Sequence, residues 1–170
     1  MTAQDFFSAE GYDNEKQAVE DLRRRVTMSG LFKIYDEVQG KSIGIWHIQQ
    51  QRRIDMILVP TAAALDAGWK HGFVGIECKR SGKKIDEAML QAITYMDCVW
   101  TLGDWRGLIV LSSVLVWPYY WPKDQGYAQR MQQARVGVAY PTTRDGFNLS
   151  VRGAPTVSWS PQVGVKTVLD

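Results

Sequence analysis

Two short stretches of the sequence are apolar on both faces of the strand that each would form, and they constrain the fold most. The first, residues 53–59, is closed by Pro60 and contains one acidic side chain, Asp55. The second, residues 72–79, is apolar until it ends in charge. A strand that is apolar on both faces needs cover on both sides of its sheet, usually from helices. The sequence therefore predicts an α/β fold.

The other periodic segments complete this order of helices and strands. Apolar residues at helical spacing predict amphipathic helices at residues 13–28 and 85–99. Asp13 or Asn14 would cap the first helix, and Gly30 follows its end. β-prone runs and turn residues predict the remaining elements: strands at 31–38 and 43–48 joined by a hairpin turn at 39–42, a helical turn or loop at 61–68, a third core strand at 107–111, a polar helix at 124–135, and strands at 136–140, 147–151 and, from weaker signals, within 157–170.

The composition bounds the class of protein. A chain of 170 residues with 45% hydrophobic content can bury one substantial core, so residues 1–170 are predicted to form a single domain. The chain has no apolar run long enough to span a bilayer and no secretory signal, so we expect no membrane segment and a cytoplasmic location. Two cysteines, Cys78 and Cys98, are too few for a disulfide framework, a four-thiolate zinc site or an iron–sulfur cluster.

The charges are nearly balanced but unevenly distributed. A net charge of +2 supports nucleic-acid binding only weakly. The basic residues gather beside the predicted elements in groups, at residues 23–25, 52–53, 79–80 and 83–84. The usual interpretation of each group taken alone is a solvated face.

An acid and a lysine end the second apolar strand. Glu77 and Lys79 flank Cys78, so they would project from one face about 7 Å apart along the chain. Asp55 lies in the first apolar strand, and pairing of the two strands would bring its carboxylate next to Glu77. A buried carboxylate needs a partner, and two carboxylates with the Cys78 carbonyl form the oxygen-rich ligand set that Mg²⁺ prefers. The sequence therefore predicts a Mg²⁺ site, in which Mn²⁺ would substitute.

Such a site suits phosphodiester hydrolysis. A bound metal would activate water and stabilise the charge that builds on the phosphate. Lys79 would orient that water or help to deprotonate it. Three basic residues that follow would contact flanking phosphates, namely Arg80, Lys83 and Lys84.

The same residues resemble the divided motif of the PD-(D/E)XK nuclease superfamily. The motif covers residues 53–55 and 75–79, with Ile54 in the position of the namesake proline. Gln91 and Tyr95, four residues apart on the second predicted helix, resemble the Gln-x-x-x-Tyr motif of the RecB-type branch. The resemblance extends over about residues 13–111, and the remaining C-terminal residues would extend the same domain.

This resemblance implies a restriction-endonuclease-like fold, with a mixed central β-sheet flanked by helices. It also implies DNA as the substrate, and a small chain of this kind suits a structure-selective or end-processing nuclease. Gln91 and Tyr95 would position the substrate or Lys79, and Arg53 would contact DNA. Glu15 matches the first-helix glutamate that many small members place near the metal, so it is a further candidate ligand.

Two alternatives stay open. One is a Holliday-junction resolvase or sequence-specific endonuclease acting as a dimer, because cutting two strands in register favours two-fold symmetry. The other is a nuclease-fold module that binds DNA or a protein partner without cleavage. An intact Asp55, Glu77 and Lys79 favour an enzyme over a binding module.

Several other prominent residues are assigned structural roles. The aromatic segment at residues 117–121 is interpreted as a packed loop or dimer contact, with stacking on unpaired bases as the alternative. His47 and His71 lack the spacing of a ligand pair, and we expect no role for either. Cys78 is interpreted as a small core residue rather than a nucleophile.

Overall fold

The computed structural model describes residues 12–42, 51–79, 85–104, 107–118, 137–142, 144–151 and 154–168. Over these ranges the chain forms three helices and nine strands. The helices are α1 (Glu15–Ser29), α2 (Ala62–Asp66) and α3 (Ile85–Met96). The strands are β1 (Phe32–Ser42), β2 (Gln51–Pro60), β3 (Val74–Lys79), β4 (Cys98–Trp100), β5 (Ser113–Pro118), β6 (Gly137–Pro141), β7 (Phe147–Ser150), β8 (Thr156–Ser160) and β9 (Gly164–Val168).

The strands form one sheet in the order β4-β1-β2-β3-β5-β6-β7-β8-β9. The pairs β3–β5 and β5–β6 are parallel, and the other neighbours are antiparallel. The fold is therefore α/β, with a mixed and mostly antiparallel sheet flanked by helices, as the sequence predicts. None of the helices in the described ranges is long and apolar enough to cross a membrane.

Two hydrophobic cores cover the two faces of this sheet. The α1 core contains the buried stripe of α1, which is Ala18, Leu22 and Val26, together with Met56 and Leu58 of β2. The α3 core lies on the opposite face, and its central members are these: Ile54, Ile57, Ala92, Tyr95, Trp100, Val114 and Val116. β2 contributes side chains to both cores, which explains why its sequence is apolar on both faces.

The boundaries of α1 follow the predicted capping residues. The side chain of Asn14 accepts a hydrogen bond from the Gln17 backbone N–H at 2.9 Å, so Asn14 rather than Asp13 is the N-cap. Gly30 ends the helix with a left-handed backbone, at φ 67°, a conformation that glycine adopts without a steric penalty.

Two predicted elements are wrong, and a third is predicted too long. Residues 39–42 are not a hairpin turn, because β1 runs on to Ser42 and pairs there with β2 and β4. The second helix ends at Met96, and Val99 belongs to β4. Residues 107–111 form only an isolated bridge between Trp100 and Ile109, and the core strand is β5 instead.

The error at residues 107–111 has a simple physical cause. Leu108 and Val110 are 58% and 61% exposed, whereas Ile109 and Leu111 are buried. A short apolar run does not reveal whether both of its faces are covered. Val114 and Val116, in β5, are fully buried.

The C-terminal strands agree with the sequence. β6 and β7 lie at the two predicted strands, and the weak signals of residues 157–170 correspond to the antiparallel pair β8–β9. α2 forms the helical turn expected within residues 61–68. The predicted strand at 43–48 and the polar helix at 124–135 lie outside the described residues.

The basic group at residues 23–25 is not a solvated face. Arg25 is fully buried, and its Nε donates to Asp21 Oδ2 at 2.8 Å. Its Nη1 donates to the backbone oxygens of Thr142 and Gly146, at 3.0 and 2.7 Å. The hydroxyl of Tyr12 donates to the same carboxylate, and burial and the charge of Asp21 raise the pKa of Tyr12. These groups attach α1 to the turn between β6 and β7.

The two other arginines of this group also form ion pairs. Arg24 bridges Asp21 and Asp145, with nitrogen–oxygen distances of 2.9 and 2.7 Å. Arg23 pairs with Asp36 of β1 at the protein surface. The clustering of three arginines therefore reflects packing of α1 against the sheet.

Side-chain alternation breaks in β1 and β2 at one place. Ile54 and Met56 are two residues apart, so a regular strand would direct both to one face, yet they belong to opposite cores. The opposite position in β1 is Glu37, which has a positive φ of 46°. The break therefore falls at Asp55.

We expect Glu37→Gly to stabilise the fold by about 1 kcal/mol, because a left-handed backbone penalises a residue with a Cβ atom. Glu37 is exposed, so the substitution removes no buried contact. Chemical denaturation at neutral pH measures the effect. Glu37→Gln is the matched control, since it removes the charge and keeps the strain. Equal stability changes for the two variants would contradict the assignment to backbone strain.

Candidate active site

Asp55 and Glu77 meet through a pair of hydrogen bonds. The backbone N–H of Asp55 donates to Glu77 Oε1 at 3.0 Å. The backbone N–H of Cys78 donates to Asp55 Oδ2 at 2.9 Å. Each acid therefore accepts from the strand that carries the other, although the two lie 22 residues apart in the sequence.

The strand register explains this contact. β2 and β3 pair antiparallel through Met56 and Ile76, and the next position along the pair places Asp55 beside Glu77. There the carboxylates take the place of backbone oxygens as acceptors of backbone N–H groups. Glu77 is 4% exposed, and its hydrogen bond offsets part of the cost of burying a carboxylate.

The backbone of Cys78 also faces this site. In a β-strand the N–H and C=O of one residue point to the same side, so the Cys78 carbonyl lies on the side of Asp55. The thiol of Cys78 is buried in the α1 core, which agrees with its interpretation as a small core residue.

A cleft of about 630 Å³ opens between α1 and the broken stretch of β1 and β2. Its lining contains five acidic and two basic side chains: Glu15, Glu20, Asp36, Glu37 and Asp55, with Lys16 and Arg23. Glu15 is exposed and shares the cleft with Asp55. Glu20, which is also exposed, lines the same cleft.

Tyr95 lies in the α3 core, across the sheet from the cleft. It is 7% exposed, and its hydroxyl donates to the backbone oxygen of Arg53 at 3.2 Å. Burial, followed by the charges of Glu77 and Asp55, raises the pKa of Tyr95 to about 12, and Arg52 acts in the opposite direction. Tyr95 is therefore electrostatically coupled to both carboxylates.

The raised pKa of Tyr95 predicts a specific alkaline destabilisation. The folded pKa of about 12 exceeds the unfolded value of about 10. The neutral hydroxyl therefore contributes stability that is complete below pH 10 and is lost as the pH rises towards 12. We expect Tyr95→Phe to lower the free energy of unfolding by about 1 kcal/mol at pH 8, through the lost hydrogen bond, and to reduce its decline above pH 10. Urea unfolding between pH 8 and pH 11 tests this, and an unchanged alkaline slope would contradict it.

Gln91 has a polar atom that needs a donor. Its Oε1 atom is buried and accepts no hydrogen bond from any described residue. A buried acceptor without a donor costs about 1–3 kcal/mol. Gln91 is one turn before Tyr95 on α3, the helix that packs on β3 and β5.

The other predicted site residues are placed as follows. Lys79 ends β3, and its side chain lies outside the described part, as do Arg80, Lys83 and Lys84. Arg53 has an exposed side chain. Across the described ranges, no group of three or more His, Cys, Asp or Glu side chains is arranged to hold a metal ion.

His71 and Trp117 both lie in packed surroundings. His71 packs edge-on against Trp69, with ring centroids 4.9 Å apart, and burial lowers its pKa. His47 lies outside the described residues. Trp117 is fully buried in β5, so it is a core residue, and residues 119–121 are outside the described part.

Sequence reasoning missed Arg52, Glu20 and Glu37 as neighbours of the site. In the sequence, Arg52 stands out only as one of two adjacent arginines. Because side chains alternate along a strand, Arg52 and Arg53 should project to opposite faces of the sheet, and this was the signal that they have different neighbours. Nothing in the sequence indicates the positive φ of Glu37.

Comparison of the chain with protein-family models, curated proteins and solved structures found no significant match.

Proposed function

We propose that this protein is a magnesium-dependent DNA nuclease with a restriction-endonuclease-like fold. The observation that carries the proposal is the reciprocal contact of Asp55, in the middle of β2, and Glu77, near the end of β3. Two carboxylates held together in a protein repel each other, and a divalent cation between them would offset that repulsion.

The donors at this site fit Mg²⁺. Asp55 and Glu77 would hold the ion with the carbonyl of Cys78, and Glu15 would contribute from the other side of the cleft. All of these are oxygen donors, which hard cations prefer. When bound, Mg²⁺ or Mn²⁺ supplies charge stabilisation at the phosphate and lowers the pKa of water.

The residues around the acids have distinct tasks in this proposal. Lys79 orients the attacking water or accepts its proton. Gln91 positions Lys79 or the substrate, and its buried amide oxygen, which needs a donor, suits contact with the Lys79 ammonium. Tyr95 holds β2 next to Asp55 through the Arg53 carbonyl. It is a positioning residue.

The substrate would be DNA, with a preference for a particular structure or a strand end. Arg53, Arg80, Lys83 and Lys84 would contact its phosphates. Because the cleft lining carries more acids than bases, phosphates near Asp55 are repelled unless a cation is bound. Binding of DNA at the cleft should therefore depend on a divalent cation.

A cleavage assay tests the proposal. The wild type is incubated with linear duplex, single-stranded and four-way-junction DNA in Mg²⁺, Mn²⁺ and EDTA. We expect cleavage in both metals and none in EDTA. Progressive release of mononucleotides would identify an end-processing exonuclease, and symmetric cuts at the junction would identify a dimeric resolvase.

DNA binding without cleavage of any substrate in either metal would contradict the proposal. It would favour a binding module that keeps the sheet and uses no metal.

A further inference from the structure

One part of the sheet surface that no described residue covers is polar and lies next to the cleft. β1, β2 and the residue that follows β4 present there five side chains that we call the polar strand face, namely Gln39, Lys41, Gln51, Arg53 and Thr101. Lys41 is half-buried and the other four are exposed.

The burial of neighbouring residues fixes which face this is. Val38, Ile54 and Trp100 are buried in the α3 core. Each is adjacent in sequence to a member of the polar strand face, and side chains alternate along a strand. The polar strand face is therefore opposite to the α3 core, on the side of the sheet where α1 packs.

Pairing between strands makes the members contiguous. Gln39 is opposite Arg53, and Lys41 is opposite Gln51. The backbone N–H of Thr101 donates to the Gln39 backbone oxygen at 3.2 Å. Four of the five members line a groove of about 180 Å³, and Arg53 lies between that groove and Asp55.

The charge of this face is opposite to that of the cleft. Its two charged members, Lys41 and Arg53, are both positive, and neither forms an ion pair with a described residue. The other three members provide amide and hydroxyl groups, which commonly contact phosphate oxygens. A polyanion is the partner that fits such a face.

The position of the polar strand face relates its polyanionic ligand to the cleft. Arg53 and Asp55 are two residues apart on β2, a distance of about 7 Å along a strand, and Asp55 lines the cleft on the α1 side of the sheet. Lys41 is opposite Gln51, four residues before Asp55, or about 13 Å along the strand. A ligand that follows β2 from the groove therefore arrives at Asp55.

We propose that the polar strand face binds the phosphate backbone of the DNA strand that enters the cleft at Asp55. This inference rests on the proposed function and names its substrate-binding surface. Lys41 and Arg53 would contact successive phosphates on the approach to the acids.

Fluorescence anisotropy with a labelled single-stranded DNA oligonucleotide tests the inference. The background is the Glu77→Gln protein, so that cleavage does not consume the probe, and Mg²⁺ is added in enough excess to offset the weaker metal binding of this variant. Lys41→Ala combined with Arg53→Ala should weaken binding about tenfold and reduce the slope of log K against log salt by about 1.4, since each lost phosphate contact contributes about 0.7 for a single strand. The matched control combines Lys70→Ala with Lys166→Ala, which removes two exposed positive charges elsewhere and should change the affinity less than twofold.

The outcomes separate this inference from the proposed function. Equal affinity and salt slope for the two double variants would overturn the surface, even if the wild type cleaves DNA. Selective weakening by the Lys41 and Arg53 substitutions would support the surface, even if the wild type cleaves nothing and the nuclease proposal fails. Tighter binding of an RNA oligonucleotide of the same sequence, weakened by the same substitutions, would overturn the assignment to DNA.

Discussion

Replacing Glu77 by glutamine is expected to reduce metal-dependent DNA cleavage about a thousand-fold or more. The reason is that a bound metal contributes several kcal/mol to such reactions, and each 1.36 kcal/mol is a factor of ten in rate. Glutamine keeps an oxygen that accepts the Asp55 backbone N–H, so the local fold should survive. The measurement is the initial cleavage rate in Mg²⁺, with the thermal midpoint recorded to show that the variant is folded.

Asp66→Asn is the matched control for this substitution. Asp66 is an exposed acid at the end of α2, outside the lining of the cleft. Its loss should change the cleavage rate less than twofold. A Glu77→Gln protein that cleaves at the wild-type rate would exclude Glu77 from the active site.

Replacing Asp21 by alanine is expected to destabilise the protein by about 3–5 kcal/mol. The substitution would leave the fully buried guanidinium of Arg25 without its carboxylate partner, and an uncompensated buried charge carries a cost of this size. For a chain of this length the melting temperature should fall by roughly 10 °C. Calorimetry and urea denaturation measure the two quantities.

Asp36→Ala is the control for the Asp21 substitution. It breaks the ion pair with Arg23, whose side chain is 43% exposed, and exposed pairs contribute at most about 1 kcal/mol. If Asp21→Ala and Asp36→Ala have equal effects, the buried network does not hold α1 in place.

The strands of the site were predictable because burial on both faces leaves a clear pattern. The sequences of β2 and β3 are apolar apart from a few charged residues. Because side chains alternate along a strand, the position of each charged residue predicts the face of the sheet on which it lies. The sequence could indicate that Asp55 and Glu77 were candidates for contact. The register that places them together depends on residues 61–73 between the strands, whose path is set by packing of α2 and Trp69 rather than by a local turn.

The extent of β1 was not predictable for a related reason. Residues 39–42 contain a glycine and polar side chains, which usually indicate a turn. Gly40 is instead needed in the strand because the ring of Trp100 packs against it, and a Cβ atom there would lie 2.4 Å from the ring. The polar residues on either side of Gly40 belong to the polar strand face. Their side chains are of the kind that usually occurs in loops, so the sequence does not distinguish this strand from a turn.

The buried ion pair of α1 was partly predictable from the spacing of its residues, although their charge suggests an exposed position. Asp21 and Arg25 are four residues apart and lie beside the apolar stripe of the helix, which is the spacing of a side-chain pair on one face. Charged residues are seldom fully buried, so a cluster of arginines is interpreted as surface. Only the tertiary contact with the turn at residues 142–146 shows why these charges are inside.

Binding of Mn²⁺, followed by electron paramagnetic resonance, is the direct test of a metal site at Asp55 and Glu77. The wild type, Asp55→Asn and Glu77→Gln are titrated with Mn²⁺, and free ion is quantified at each step. Both amide variants keep the backbone hydrogen bonds of the site and remove one charge each. We expect that the wild type binds Mn²⁺, that Mg²⁺ competes for the site, and that each variant binds Mn²⁺ at least tenfold more weakly. Equal Mn²⁺ binding by all three proteins, or none by the wild type, would contradict a metal site at Asp55 and Glu77.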